Sequence, residues 1–233
     1  MTADLMHAFL LIGQSNMAGR GAIEAEDRVA LPRVFAQDAA MRWQPAADPI
    51  HYDKPRSAGV GPGRAFAREV ARARPGWTIG LVPAAVGGSA LDAWRPSSPL
   101  YTDAVARVRS AMRSGARLTA LLWHQGESDQ TPEQATSYAR RFTGMIGQLR
   151  ADLSAADIPV LVGQLGEFAP AARLLNPELL KLPGILPGCH IVSSAGLTHI
   201  GDRLHFDGAS ARELGRRYAK AFLEIEPSRR LRA

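Results

Sequence analysis

Five short apolar runs recur along the chain, each closed by glycine or polar sequence: AFLLI (8–12), TIGLVPAA (78–85), LTALLW (118–123), PVLVGQL (159–165) and HIVSSA (190–195). They are continuous rather than alternating, which is the pattern of strands buried on both faces of a parallel sheet. Stretches of helical period lie between them. The clearest follows Thr131-Pro132, where threonine is a capping residue and proline suits the first helical position. It sets Ala135, Tyr138, Phe142, Met145, Ile146, Leu149 and Leu153 at spacings of three and four. A second runs from about Asp207 to Ile225 with Leu214, Tyr218, Ala221, Phe222 and Ile225 on one stripe, and GPGRAFAREVARARPG and YTDAVARVRSAMRSG complete the set. Strands alternating with helices predict an α/β fold, a three-layer α/β/α sandwich of right-handed βαβ units around roughly five parallel strands. With 233 residues, 46% of them hydrophobic, a single domain over 1–233 is expected.

Two regions fall outside this alternation. Residues 22–60, including RVFAQDAAMRWQPAADPIHYDKPRS, are rich in Pro, Ala and Asp without a sustained period and read as a long loop over the ligand-binding edge. Residues 166–188 read as a shorter excursion of the same kind. Specificity is expected to reside in these two segments.

Composition removes several classes of function. No apolar segment approaches the roughly 20 residues needed to cross a bilayer, and the N-terminus lacks the features of a secretory signal, so the chain as given is expected to be soluble and cytoplasmic, or secreted if a signal has been trimmed from it. Its one cysteine, Cys189, excludes an internal disulfide and reads as a small buried hydrophobe. A net charge of +6 invites nucleic acid as a partner. Against that, the arginines spread over solvated helix faces (Arg68, Arg72, Arg74; Arg107, Arg109, Arg113; Arg140, Arg141, Arg150), and only SRRLRA at 228–233 forms a cluster. Zinc-finger spacing and an aromatic platform are both missing, so neither nucleic acid nor a membrane is expected as a partner.

In open α/β sheets, ligands bind beyond the carboxyl ends of the strands. Polar, glycine-rich sequence collects there: GQSN (13–16) after the first run, VGGSALDAW (86–94) after the second, HQGESD (124–129) after the third, GQLGEF (163–168) after the fourth and THIGDRLHFD (198–207) after the fifth. Ser15, at the tip of a buried strand, is held with its hydroxyl exposed, as nucleophilic catalysis requires. Serine alone is a weak nucleophile; it needs an imidazole to take its proton and a carboxylate to fix that ring's tautomer. Asp202 and His205, three residues apart in one turn, supply both. Donors for a developing oxyanion are the backbone N–H of Ser15, an N–H at Gly87 or Gly88, and the side-chain amide of Gln125.

Other polar and aromatic residues admit simpler readings. His124 reads as a buried, hydrogen-bonded histidine. Trp94, Trp123 and Tyr101 are candidates to stack on a sugar ring; Trp123, within an apolar strand, reads rather as core, whereas Trp94, beside the second glycine-rich block, suits either the core or a stacking surface. His199, Asp202, His205 and Asp207 match no standard zinc spacing, and neither a metal nor any other cofactor is expected.

GQSNMAG, VGGSALDAW, WHQGESD and DRLHFD, in this order, resemble the blocks of the SGNH hydrolase superfamily, in its branch of sialate O-acetylesterase-like proteins and carbohydrate esterase family six. The likeness spans about residues 9–222. It implies a flavodoxin-like fold and a serine esterase that removes O-linked acetyl groups from a carbohydrate through an acyl-serine intermediate. The partner it implies is a small-molecule or oligosaccharide acetyl ester. By position it places the nucleophile on Ser15, the second-block glycine on Gly87 or Gly88, the third-block amide on Gln125, and the acid and base on Asp202 and His205. The third-block amide is usually asparagine in the wider superfamily and glutamine in the carbohydrate esterase branch, as here. Relatives of this type are also described with a third-block glutamate as the acid, which leaves Glu127 as the alternative to Asp202. Asp202 is preferred because it shares a turn with His205, and Glu127 is then a carboxylate bracing the oxyanion loop. Two further readings are a related hydrolase acting on another short acyl ester and a non-catalytic carbohydrate-binding protein; the intact Ser, Asp and His set disfavours the second.

Overall fold

The computed structural model describes residues 5–230, and the basic cluster at 228–233 lies outside the described side chains. Strands β1 (Met6–Gly13), β2 (Val34–Gln37), β3 (Trp43–Pro45), β4 (Thr78–Pro83), β5 (Arg117–His124), β6 (Val160–Gly163) and β7 (Cys189–Val192) form one sheet in the order β3-β2-β4-β1-β5-β6-β7. Every neighbouring pair is parallel except β2 with β3. The helices are α1 (Ser15–Ala18), α2 (Pro62–Ala73), α3 (Pro99–Arg113), α4 (Pro132–Asp152), α5 (Ala172–Leu179), α6 (Leu182–Ile185) and α7 (Gly208–Arg230).

The centre of the molecule is β1, whose side chains alternate between two cores. Ala8, Leu10 and Ile12 pack with α3 and α4, among Val108, Phe142 and Leu149. Phe9 and Leu11 pack on the opposite face with α2 and α7, where the Phe9 ring stands edge-on to Phe66 at 4.9 Å and to Phe222 at 5.1 Å. Complete burial of a Leu, Ile or Phe side chain stabilises by about 1.5–3 kcal/mol, so this one strand anchors both outer layers. The start of α4 follows its sequence signals: Pro132 is its first residue, Thr131 Oγ1 accepts the Gln134 N–H (3.2 Å), and Gln134 Oε1 accepts the Thr131 N–H (3.0 Å). Cys189 is buried, and burial pushes its thiol up to about 12, which leaves it unreactive at neutral pH. Among the described residues no helix is long and apolar enough to cross a membrane.

Two expectations are corrected. The sheet has seven strands rather than about five, because residues 22–60 contribute β2 and β3, the last two strands on one side. Their sequences, VFAQ and WQP, are short and interrupted by polar residues, so they carry no continuous apolar run to mark them as strands. Val34 and Ala36 of β2 nevertheless reach the core on the α2 and α7 side, and Pro45 falls on the outermost strand, where its missing N–H costs no ladder bond. The turn between them is built by Asp38, whose Oδ1 accepts the N–H groups of Ala40 (2.8 Å) and Arg42 (2.9 Å). Residues 166–188 do not arch over the ligand-binding edge as expected: they contain α5 and α6, whose Leu175, Leu179 and Leu182 are fully buried in the core beneath α4.

An ion cluster pins the 22–60 segment to the last helix. Asp27, almost wholly buried, accepts Arg212 Nε at 3.0 Å on one oxygen and Arg212 Nη2 at 2.5 Å on the other, while Arg64 Nη1 stands 3.9 Å away. Breaking a buried pair strands the remaining charge and costs about 3–5 kcal/mol. Glu24 and Glu26 still face Arg212 at 3.3 and 3.8 Å, which softens the loss. Asp27→Asn is therefore expected to lower the unfolding free energy by about 3 kcal/mol, measured by urea denaturation with an unchanged slope.

Candidate active site

Backbone hydrogen bonds bring three of the polar blocks together. At the end of β1, the Gln14 N–H donates to the His124 carbonyl at 2.9 Å, and the Gly13 carbonyl accepts the Val86 N–H at 3.0 Å. Gly13 lies directly against β5 with φ of 128°, and a Cβ there would collide with the His124 carbonyl. Only glycine supports this close approach. The chain then turns at once into α1, where the Gln14 carbonyl accepts the N–H groups of Met17 and Ala18, both at 3.0 Å. Ser15, the first residue of α1, reaches the floor of a cleft of about 530 Å³. The N–H groups of Ser15 and of Gly88, another residue of this cleft, have no hydrogen-bond partner among the described residues.

His205 meets Ser15 from the opposite wall. Its Nε2 lies 3.0 Å from Ser15 Oγ, and its Nδ1 lies 2.6 Å from Asp202 Oδ2. The second oxygen of Asp202 accepts the N–H groups of Leu204 and His205, each at 2.9 Å. Arg203, between them, takes a left-handed φ of 57°, which folds the turn tightly enough for these contacts. Partial burial pushes the Asp202 carboxyl up, but the His205 N–H, the imidazole and the Leu204 N–H outweigh it and hold the group below the usual carboxylate range. A bond from the Ile200 N–H to the His205 carbonyl (3.0 Å) closes the loop on itself.

The remaining sequence candidates are placed differently. Glu127 does not bond His205. It is buried, and its Oε1 accepts Asn16 Nδ2 at 2.5 Å and stands 3.4 Å from His124 Nε2. Burial alone pushes Glu127 up; His124 and Asn16 outweigh it, and the carboxyl sits below its ordinary value. Gln125 is fully buried, with Nε2 at 2.7 Å from Asp129 Oδ2, 3.1 Å from the Ser89 carbonyl and 3.2 Å from Gln14 Oε1. Its own Oε1 accepts the Tyr138 hydroxyl at 2.8 Å. Both of its amide protons thus have acceptors inside the protein. The Gly87 N–H donates to Asp53 Oδ2 at 2.8 Å, an oxygen that also accepts Arg20 Nη2 at 2.7 Å. Of the donor positions named from the sequence, the Ser15 N–H is open, the Gly87 N–H is taken by Asp53 while that of its alternative Gly88 is open, and the Gln125 amide is turned inward. The acidic residues that claim the other two, Asp129 and Asp53, carry no sequence signal for that task.

The aromatic and acidic alternatives also resolve. Trp94 is fully buried, donates from Nε1 to Ser89 Oγ at 2.9 Å and packs edge-on against Trp123, so it offers no face to a sugar. Tyr101 bonds Asp152 through its hydroxyl, away from the cleft. His199 Nδ1 accepts the N–H groups of Gly201 and Arg203, and Asp207 accepts the Thr198 hydroxyl and the Ser210 N–H. Among the described residues no three His, Cys, Asp or Glu side chains converge on a metal position. The cleft walls that sequence reasoning did not single out are Arg20 and Lys54 on one side and Ile200 and Leu204 on the other. Lys54 comes from the 22–60 segment, whereas no wall residue comes from 166–188, because that excursion is held in the core.

Known proteins share this chain's sequence and its fold. A probable carbohydrate esterase of Arabidopsis thaliana is 33% identical over 238 aligned positions, covering 92% of this chain and 89% of the relative. The crystal structure of an Arabidopsis thaliana protein superposes with a TM-score of 0.88 at 31% identity, over 94% of this chain and 98% of that one. The fold is shared further with NanS (TM-score 0.79, 19% identity, 98% and 99% of the two chains). It is shared as well with XAC1771, a carbohydrate acetylesterase from Xanthomonas citri (TM-score 0.72, 23% identity, 95% of this chain and 57% of that one). Residues 5–224, nearly the whole length, match the family described as carbohydrate esterase, sialic acid-specific acetylesterase, and the chain belongs to that family.

Proposed function

We propose that this protein is a serine esterase that removes O-linked acetyl groups from a carbohydrate. The observation that carries the reading is the unbroken chain of contacts from Asp202 Oδ2 through the His205 ring to Ser15 Oγ, at 2.6 and 3.0 Å, on the floor of an open cleft. The choice of an acetylated carbohydrate is supported by the family and by the acetylesterase XAC1771 on the same fold.

In this reading Ser15 Oγ attacks the acetyl carbonyl carbon while His205 Nε2 takes its proton. Asp202 keeps Nδ1 protonated and stabilises the imidazolium that forms. The negative charge on the carbonyl oxygen falls to the N–H groups of Ser15 and Gly88. The tetrahedral intermediate collapses by breaking the bond to the sugar oxygen, which leaves with the proton held on Nε2. Water, deprotonated by the same nitrogen, then attacks the acetyl-serine, and acetate departs as Ser15 recovers its proton. Gln125 acts behind the site, tying Gln14 of the first block to Ser89 of the second. Glu127 takes no proton in the cycle.

Four outcomes are expected. A fluorophosphonate should label the protein at Ser15 and fail to label Ser15→Ala, and among nitrophenyl esters the acetate should be the fastest substrate; preference for long acyl chains would point instead to a related esterase with a different acyl group. Asp202→Asn should lower kcat by about 10⁴-fold, the scale seen when a triad histidine is left in the wrong tautomer. Glu127→Gln should lower it far less. The reverse ranking in steady-state kinetics would move the acid to Glu127.

A further inference from the structure

The residue after the nucleophile does something its neighbours do not. Asn16, almost wholly buried, spans the gap between the first strand's turn and the loop that bears His205. Its Nδ2 donates to the Leu204 carbonyl at 3.0 Å, and its Oδ1 accepts the Phe206 N–H at 3.0 Å. It thus holds the backbone on both sides of His205, with Phe206 190 positions away, much as one strand holds another. The same Nδ2 donates to Glu127 Oε1 at 2.5 Å.

We infer that Asn16 is the positioning residue for the base, and that Glu127 serves by orienting the Asn16 amide. The inference rests on the triad reading above. His205 sits on a loop, its side chain about a fifth exposed, and Asp202 belongs to the same loop. The Asp202 contact fixes the ring relative to its own turn but not relative to Ser15. That second distance is set by Asn16, because Ser15 and Asn16 are consecutive residues of one rigid turn. A carboxylate can only accept hydrogen bonds, so Glu127 forces the NH₂ end of Asn16 toward itself and Leu204 and leaves the oxygen for Phe206. Swapping the two ends would oppose the amide oxygen to a carboxylate and two N–H donors to each other. The carboxylate in the third block is therefore needed behind the base, not beside it.

Four variants test this. Asn16→Ala removes both backbone bonds and should lower kcat by about 10²-fold, the cost of a misplacement near 1 Å, with KM unchanged. Its labelling by fluorophosphonate should slow in parallel but still run to completion at Ser15; absence of labelling in the unsubstituted protein would instead defeat the triad reading itself. Asn16→Asp keeps the acceptor for the Phe206 N–H but sets its other oxygen against Glu127 and the Leu204 carbonyl. The titratable groups around that position are Glu127 and His124 from the end of β5 and His205 and Asp202 from the loop. The new pair of carboxyls must share a proton to restore the bridge. The ratio of kcat for Asn16→Asp to that of the unsubstituted protein should therefore fall as pH rises. Glu127→Gln, which retains an acceptor oxygen, should recover most of the kcat lost in Glu127→Ala. The inference is overturned if kcat of Asn16→Ala matches the unsubstituted protein or if the Asn16→Asp ratio is flat with pH. It is equally overturned if thermal melts show that the alkaline loss in Asn16→Asp is loss of folded protein rather than of kcat.

Discussion

The hydrogen bond from the Gln14 N–H to the His124 carbonyl is the join on which the site depends. It ends the parallel ladder between β1 and β5, and it does so at Gly13, where the two backbones are too close for any side chain. Residues 8–13 just before it are buried strand, and Gln14, Ser15 and Asn16 just after it are polar. The position is also where the sheet changes direction, since the chain builds outward from β1 on both sides, through β4 and through β5. Such a point leaves a crevice beyond the strand ends that no crossover helix covers. Ser15 stands in that crevice because β1 runs through both hydrophobic cores and cannot shift without disturbing either.

Behind the crevice the buried acids act as ties. Asp129 accepts from Gln125, from the Leu91 N–H at 2.9 Å and from Arg141 at 3.2 Å, joining the third block to the second and to α4. Asp53 joins Arg20 of the first block to the Gly87 N–H. Glu127 joins Asn16 to the end of β5. Each carboxylate gives up hydration that only multiple donors can offset, and each draws its donors from segments far apart in sequence. The arrangement accounts for a site with several carboxylates of which just one, Asp202, touches the imidazole. It also accounts for the reversal at Gln125, whose amide is spent inside the tie rather than offered to the cleft.

Local physics was legible in the sequence. Strands β1, β4, β5, β6 and β7, the capped start of α4, the helix beginning near Asp207 and the burial of Cys189, His124 and Trp123 all follow from apolar continuity, period and capping chemistry. The nearness of Asp202 to His205 belongs here too, since three residues of one turn hold them together. Strands β2 and β3 were not legible, because VFAQ and WQP carry polar residues that break any continuous apolar run. Nor were the partners of Gly87, Gln125 and Trp94, because each lies on another element.

The sequence by itself determined the five strands with continuous apolar runs, the four long helices and the polar chemistry that gathers at the strand ends, for these depend on neighbours a few positions away. Only the tertiary structure decided which donors remain free: Asp53 reaches Gly87 from 34 positions away and Glu127 reaches Asn16 from 111. A buried carboxylate takes whichever N–H the folded sheet sets before it, and no spacing along the chain records that choice.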